Sequence, residues 1–223
     1  MQSFNQAEPI IVLDFETTGL YPANGDKVIE IGAVLLRDQV IVGRFQSLVN
    51  PGFLVTREIE TITGITNAML DEAPPAPEVM GQFLKFISAH PLIAHNASFD
   101  RSFLEAELEH IGKKRPLNFG CTLQVARRLY PDVINYKLET LVRYKEIPVN
   151  SQFHRALADA EMAAQLLVKI IDDLKSQFDF EHIPFDLIKK IGKMNKDIAF
   201  DLLQKEAEDS RTHQIGRTGN LFG

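Results

Sequence analysis

A chain of 223 residues with 45% apolar content is long enough to bury a full core, and its net charge of −6 argues against broad, non-specific coating of nucleic acid. Its one cysteine, Cys121, excludes an internal disulfide and fits a reducing, cytoplasmic setting. No run of ~18 apolar residues occurs and the N-terminus carries no basic leader, so a soluble protein is expected.

The apolar run Ile10-Ile11-Val12-Leu13 predicts a first strand over 9–15, followed by Thr17-Thr18-Gly19. Strand side chains alternate, so Asp14 and Glu16 point the same way. Two like charges that close raise one another's pKa unless a cation sits between them; taken alone, the segment equally suits a strand running out into a solvated turn. A polar turn leads to a second strand over 28–37, and Asp38-Gln39 connects it to a third over 40–49, which together read as an antiparallel meander. Short helical turns are expected around Gly64, then a Pro-rich break and a helix over 78–89.

A fourth strand over 91–95 runs into His95-Asn96-Ala97-Ser98-Phe99-Asp100, with Ser98 expected to cap a helix that carries Asp100 at its start. His95, just past an apolar run, reads as a hydrogen-bonded structural histidine. A short strand over 118–121 precedes helices over 122–129 and 138–144. His154-Arg155-Ala156-Leu157-Ala158-Asp159 then opens the strongest helical pattern, over 156–174. A spacing of five turns His154 off the Asp159 face, which puts His154 in the preceding loop. Past Gln177 come a hinge and two short amphipathic helices expected to pack back on the core. The remainder, 211–223, reads as a polar disordered tail ending in Leu221-Phe222.

Three segments thus deliver acids at the ends of apolar elements, a set of oxygen donors that suits Mg²⁺ or Mn²⁺ better than zinc. The order Asp14/Glu16, Asp100, His154, Asp159 resembles the DEDDh branch of the DnaQ-like 3′–5′ exonucleases, a group that includes proofreading subunits of bacterial DNA polymerase III. The resemblance implies an α/β fold, a ribonuclease H-like mixed sheet flanked by helices, over 1–177. A helical C-terminal extension over 178–210 and a flexible tail over 211–223 would follow it. It implies two divalent cations, Mg²⁺ or Mn²⁺, with Asp14 shared between them, Glu16 and Asp159 completing one site, Asp100 reaching the other through water, and His154 as general base.

By the same resemblance, backbone amides near Thr17 and Thr18 would hold the terminal nucleotide, with Leu20, Ile65 and Phe103 as apolar walls. Ile62-Thr63-Gly64-Ile65-Thr66 resembles a family loop that touches that nucleotide, although Thr63 stands where the polymerase subunits often have His. The implied activity is release of nucleoside 5′-monophosphates from single-stranded DNA or frayed DNA 3′ ends. An exoribonuclease acting on RNA is the alternative, and a catalytically idle polymerase-associated subunit is opposed by the complete set of acids. The implied partner is a DNA polymerase. Leu221-Phe222 is either an inert end or a peptide for the apolar pocket of a sliding clamp.

Overall fold

Strand β1, Ile10–Thr17, is uninterruptedly apolar up to Asp14 and occupies the centre of a five-stranded sheet of order β3-β2-β1-β4-β5. The computed structural model describes residues 8–114, 117–149 and 154–218. β2 (Val28–Arg37) and β3 (Val40–Leu48) add antiparallel on one side, as the meander reading expects. Their two-residue connection places Asp38 and Gln39 at φ 48° and 64°, the left-handed pair that matches strand twist in a tight hairpin. β4 (Leu92–Ala94) and β5 (Phe119–Cys121) add parallel on the other side. Parallel neighbours require crossovers, and helices supply them. α1 (Arg57–Thr63), α2 (Asn67–Asp71) and α3 (Ala76–Ile87) lead into β4, and α4 (Ser98–His110) leads into β5. α5 (Thr122–Leu129), α6 (Leu138–Tyr144) and α7 (Ala156–Phe178) follow.

Alternation along β1 divides the core. Ile11, Leu13 and Phe15 pack with Phe83 of α3 and Phe103 and Leu104 of α4. Ile10 and Val12 face the opposite cluster, with Leu166, Leu167 and Ile170 of α7. Asp14 and Glu16 share the parity of Ile10 and Val12, so the strand carries both acids onto the α7 face.

Two features of β2 fix where α7 begins. Gly32 pairs with Asp14 across the sheet, and a Cβ built on it would lie 2.0 Å from the carbonyl carbon of Ala156. Only a glycine leaves room for the first turn of α7 against the strand. The fully buried Glu30 accepts the Ala156 N–H at 3.0 Å, filling the place of the side-chain cap that α7 lacks.

The C-terminal helices α8 (Phe185–Lys193) and α9 (Ala199–Thr218) return to the core: Phe185, Ile188, Ile191 and Leu203 are buried in one cluster with Val125 of α5. The helix of α9 extends to Thr218, into the stretch read as a disordered tail, and Leu221-Phe222 falls outside the described residues. Ser98 is the first residue of α4 and not its cap. The chain turns earlier, at Asn96, whose φ of 66° and carbonyl bond from Phe99 N–H begin the helical path before Ser98. No helix among the described residues is long and apolar enough to cross a membrane.

Gly32→Ala tests the docking of α7. The obstructing atoms are backbone and cannot swing aside, so urea unfolding should show a loss of about 3 kcal/mol or failure to fold. An unchanged midpoint would show that α7 is not held against β2 in this way.

Candidate active site

Four acids meet at the end of β1. Asp14 and Glu16 come from the strand, Asp100 from the first turn of α4 and Asp159 from the first turn of α7. Asp100 is buried, and its Oδ1 accepts the Phe15 N–H at 3.1 Å, which ties α4 to the strand between the two strand acids. Asp159 Oδ2 accepts the His154 N–H at 3.0 Å. Donor atoms of Glu16, His154 and Asp159 all lie within 4.8 Å of one another. His154 itself is exposed, just before α7, at φ 65°.

The electrostatics are those of crowded like charges in a partly dehydrated place. Burial, followed by the charges of Asp100, Asp159 and Glu16, raises the Asp14 carboxyl well above its ordinary range. Burial, then Asp159 and Glu30, pushes Glu16 up to about 8. Burial raises Asp100 to about 8 against the bond from Phe15, and raises Asp159 to about 6 against the bond from His154. A fifth acid behaves oppositely. Burial works against the charge of Glu30, but bonds from Arg155, Gln46 and Ala156 outweigh it and hold the carboxyl below its usual value. Arg155 donates Nε and Nη2 to its two oxygens at 3.1 and 2.8 Å, and Gln46 Nε2 donates at 2.9 Å.

Whether a divalent cation fits can be judged from the donors. Asp159 Oδ1 is buried and, among the described residues, has no hydrogen-bond partner, which leaves it available to a ligand. The donors are carboxylate oxygens with one imidazole, which suits a hard cation. Asp14, Glu16, Asp159 and Asp100 could hold Mg²⁺ or Mn²⁺ here.

The acids open into a cleft of about 630 Å³, lined on its far side by Thr56, Ile59, Ile62 and Thr63. Thr17, Thr18 and Leu20 line it as the sequence suggests, but the Thr18 N–H is spent on Lys27 O, the Thr17 hydroxyl donates to Gly19 O, and the Thr18 hydroxyl donates to Asp26 Oδ1 and accepts the Lys27 N–H. Two assigned walls are elsewhere. Phe103 and Ile65 are fully buried in the core, and Phe99 and Ile62 take their places at the cleft. His95 is structural: its ring bonds Thr122 Oγ1 at 2.9 Å and Tyr136 O at 2.8 Å, and burial lowers its pKa to about 4. Glu30 was not singled out from the sequence, although a single acid inside the apolar run Val28-Ile29-Glu30-Ile31 was the available signal.

The family described as Exonuclease matches residues 11–167. The DNA polymerase III PolC-type of Caldanaerobacter subterraneus subsp. tengcongensis is 39% identical over 165 residues, 74% of this chain and 12% of that protein. The PolC-type polymerase of Bacillus subtilis is 38% identical over 172 residues, 75% of this chain and 12% of its own. The chain therefore spans about an eighth of the length of these curated relatives. Among solved structures, Exonuclease X in complex with 5′ overhanging duplex DNA has a TM-score of 0.66 at 27% identity, covering 82% of this chain and 99% of that one. E. coli Exonuclease I in complex with a dT13 oligonucleotide has a TM-score of 0.67 at 18% identity, covering 77% and 43%, a likeness of fold. The mixed five-stranded sheet with helices on both faces is the ribonuclease H-like architecture of these neighbours.

The crowded acids predict how stability follows pH. Without divalent cations, native Glu16 and Asp100 keep their protons up to about pH 8. The unfolded chain releases the same protons near pH ~4. The native state binds more protons across that window, so stability falls as pH rises through it. Calorimetry in chelator should show the Tm dropping by several degrees from pH 5 to pH 8, and Mn²⁺ should restore it at pH 8. A chelated protein whose Tm is flat or rises over that range would contradict the charge crowding.

Proposed function

Because the chain belongs to the exonuclease family, we propose that it is a divalent-metal-dependent 3′–5′ exonuclease of the DEDDh type that releases nucleoside 5′-monophosphates from DNA ends. The observation that carries this reading is the meeting of Glu16, His154 and Asp159 within 4.8 Å, with one Asp159 oxygen unpartnered among the described residues. In this reading the nuclease unit is 1–177, extended by the helices that follow.

Asp14, Glu16, Asp100 and Asp159 would hold two ions. When bound, such ions supply Lewis acidity, favouring deprotonation of water at neutral pH and offsetting charge on the phosphate. His154 is exposed and lines the cleft just before α7, so its ring is placed to take the proton of the attacking water. Its N–H bond to Asp159 sets His154 against the metal-binding acids. The ring of Phe99 and the side chains of Leu20 and Ile62 offer apolar surface to the terminal base and sugar, with Thr17 and Thr18 beneath them. Glu30 holds the Arg155 guanidinium beside the metal-binding acids, where its charge offsets that of Glu16 only in part and leaves the site open to cations.

Similarity to PolC-type polymerases supports DNA over RNA as substrate and a DNA polymerase as partner. An idle binding subunit is disfavoured, since all four acids and the histidine are present and brought together.

Asp14→Ala should abolish hydrolysis of both oligonucleotides and a chromogenic thymidine monophosphate ester, because it removes one of the four carboxylates that would hold the ions, and should lower metal-free stability little or even raise it. Near-native turnover of this variant in Mg²⁺ would end the two-ion reading.

His154→Ala should lower kcat by ~10²–10⁴ with DNA affinity nearly unchanged, since a general base acts on the barrier. The native pH–rate profile should carry a rising limb from deprotonation of the general base, and the variant should lose that limb. Its persistence in the variant would assign the proton to another acceptor.

A further inference from the structure

Glu107 is a buried acid that neither the cleft nor Arg155 uses. It lies two turns beyond Asp100 on α4, about 10 Å further along the helix axis. Its exposure is 3%, yet among the described residues no group donates a hydrogen bond to its carboxylate. The nearest cation, His110 Nδ1, is 4.0 Å away, too far for a hydrogen bond. A buried carboxylate is ordinarily bonded, and one that is not keeps its oxygens available to a ligand.

Glu107 lines a hollow of about 270 Å³ that shares no residue with the catalytic cleft. Lys27 and His110 line the same hollow, with Lys27 Nζ 3.2 and 3.1 Å from the ring Nδ1 and Nε2. Among the described residues, Lys27 is paired with no carboxylate. Much of the remaining lining is apolar, with Val28, Pro51 and Pro75. A metal ion is poorly served here: Glu107 and His110 have no third donor of the kind beside them among the described residues, and the Lys27 ammonium would repel it. The hollow instead combines an acceptor, an anion site and flat apolar walls.

We propose that this hollow is a second, non-catalytic binding site for a nucleoside 5′-monophosphate, with guanine the preferred base. Guanine carries two adjacent N–H donors on one edge, which a single carboxylate accepts side by side, so Glu107 gains the partners it lacks. Thymine offers one N–H between two carbonyls, which a carboxylate repels. The proline rings and Val28 cover the faces of a planar base, and Lys27 with His110 receives the phosphate. This assignment stands on the chemistry of the hollow and needs neither the metal ions nor the general base of the cleft.

The test is calorimetric titration of the full chain in chelator, where no cation helps the cleft to hold a phosphate. The probes are deoxyguanosine 5′-monophosphate, thymidine 5′-monophosphate and deoxyguanosine. The native chain should bind the guanine nucleotide ~10-fold or more tighter than the thymine one, the scale of one charge-assisted hydrogen bond. Glu107→Gln should erase that preference. Lys27→Gln, at a half-buried position, carries the test should the buried substitution disturb folding. It should weaken the guanine nucleotide ~10-fold and leave deoxyguanosine unchanged, because only the phosphate contact is lost. No binding of the guanine nucleotide by the native chain, equal affinity for the two nucleotides, or native affinity for it in either variant would overturn the site. Loss of ester hydrolysis in the native chain would end the proposed function and leave these binding results to decide the hollow by themselves.

Discussion

Four carboxylates from three separate elements are held at the end of one strand, and the guanidinium beside them, Arg155, is committed to a fifth acid. Left to themselves, such groups would move apart or take up protons. They stay together because each is mounted on something that packing has already fixed. β1 is clasped by β2 and β4, α4 is tied to β1 through Asp100 and the Phe15 N–H, and α7 is seated over Gly32. Two unit charges about 5 Å apart repel by about 3 kcal/mol at an effective dielectric of 20. One fully buried Phe or Leu contributes about 1.5–3 kcal/mol. The two apolar clusters, on opposite faces of the sheet, contain many such side chains, so the fold can sustain the repulsion without a cation.

Glu30 is what makes the arrangement one-sided. It is as buried as any core residue, yet it remains ionised because Arg155, Gln46 and the Ala156 N–H all donate to it. That bonding caps α7, from whose first turn Asp159 enters the site, and engages Arg155, whose charge lowers Glu16 by less than burial and the neighbouring acids raise it. Fold stability and the affinity of the acids for a cation are thus linked through one carboxylate.

The acids were legible because period-two alternation and apolar flanks are local signals: Asp14 and Glu16 on a strand, Asp100 and Asp159 at helix starts, His154 just outside a helix. The meander and helices α5 and α6 were legible for the same reason. What escaped depended on neighbours distant in sequence. Phe103 shares the helical face of Asp100, but α4 turns that face into the core, and Phe99, one turn earlier, reaches the cleft. Ile65 is covered by Ile29 and Leu70, contacts that no local pattern reveals. Glu30 read as one acid in a strand because its partners lie 16 and more than 120 residues away. The Thr18 amide looked free for substrate until Lys27, just before β2, supplied its carbonyl.

The central claim is that the clustered acids hold protons only until cations displace them. Calorimetric titration with Mn²⁺ at pH 7, repeated in buffers of different ionisation enthalpy, reads the number of ions bound and the protons released together. Two ions per chain with at least one proton expelled is the result this account predicts, since Glu16 and Asp100 are each raised to about 8. Binding without proton release, or no binding, would contradict it.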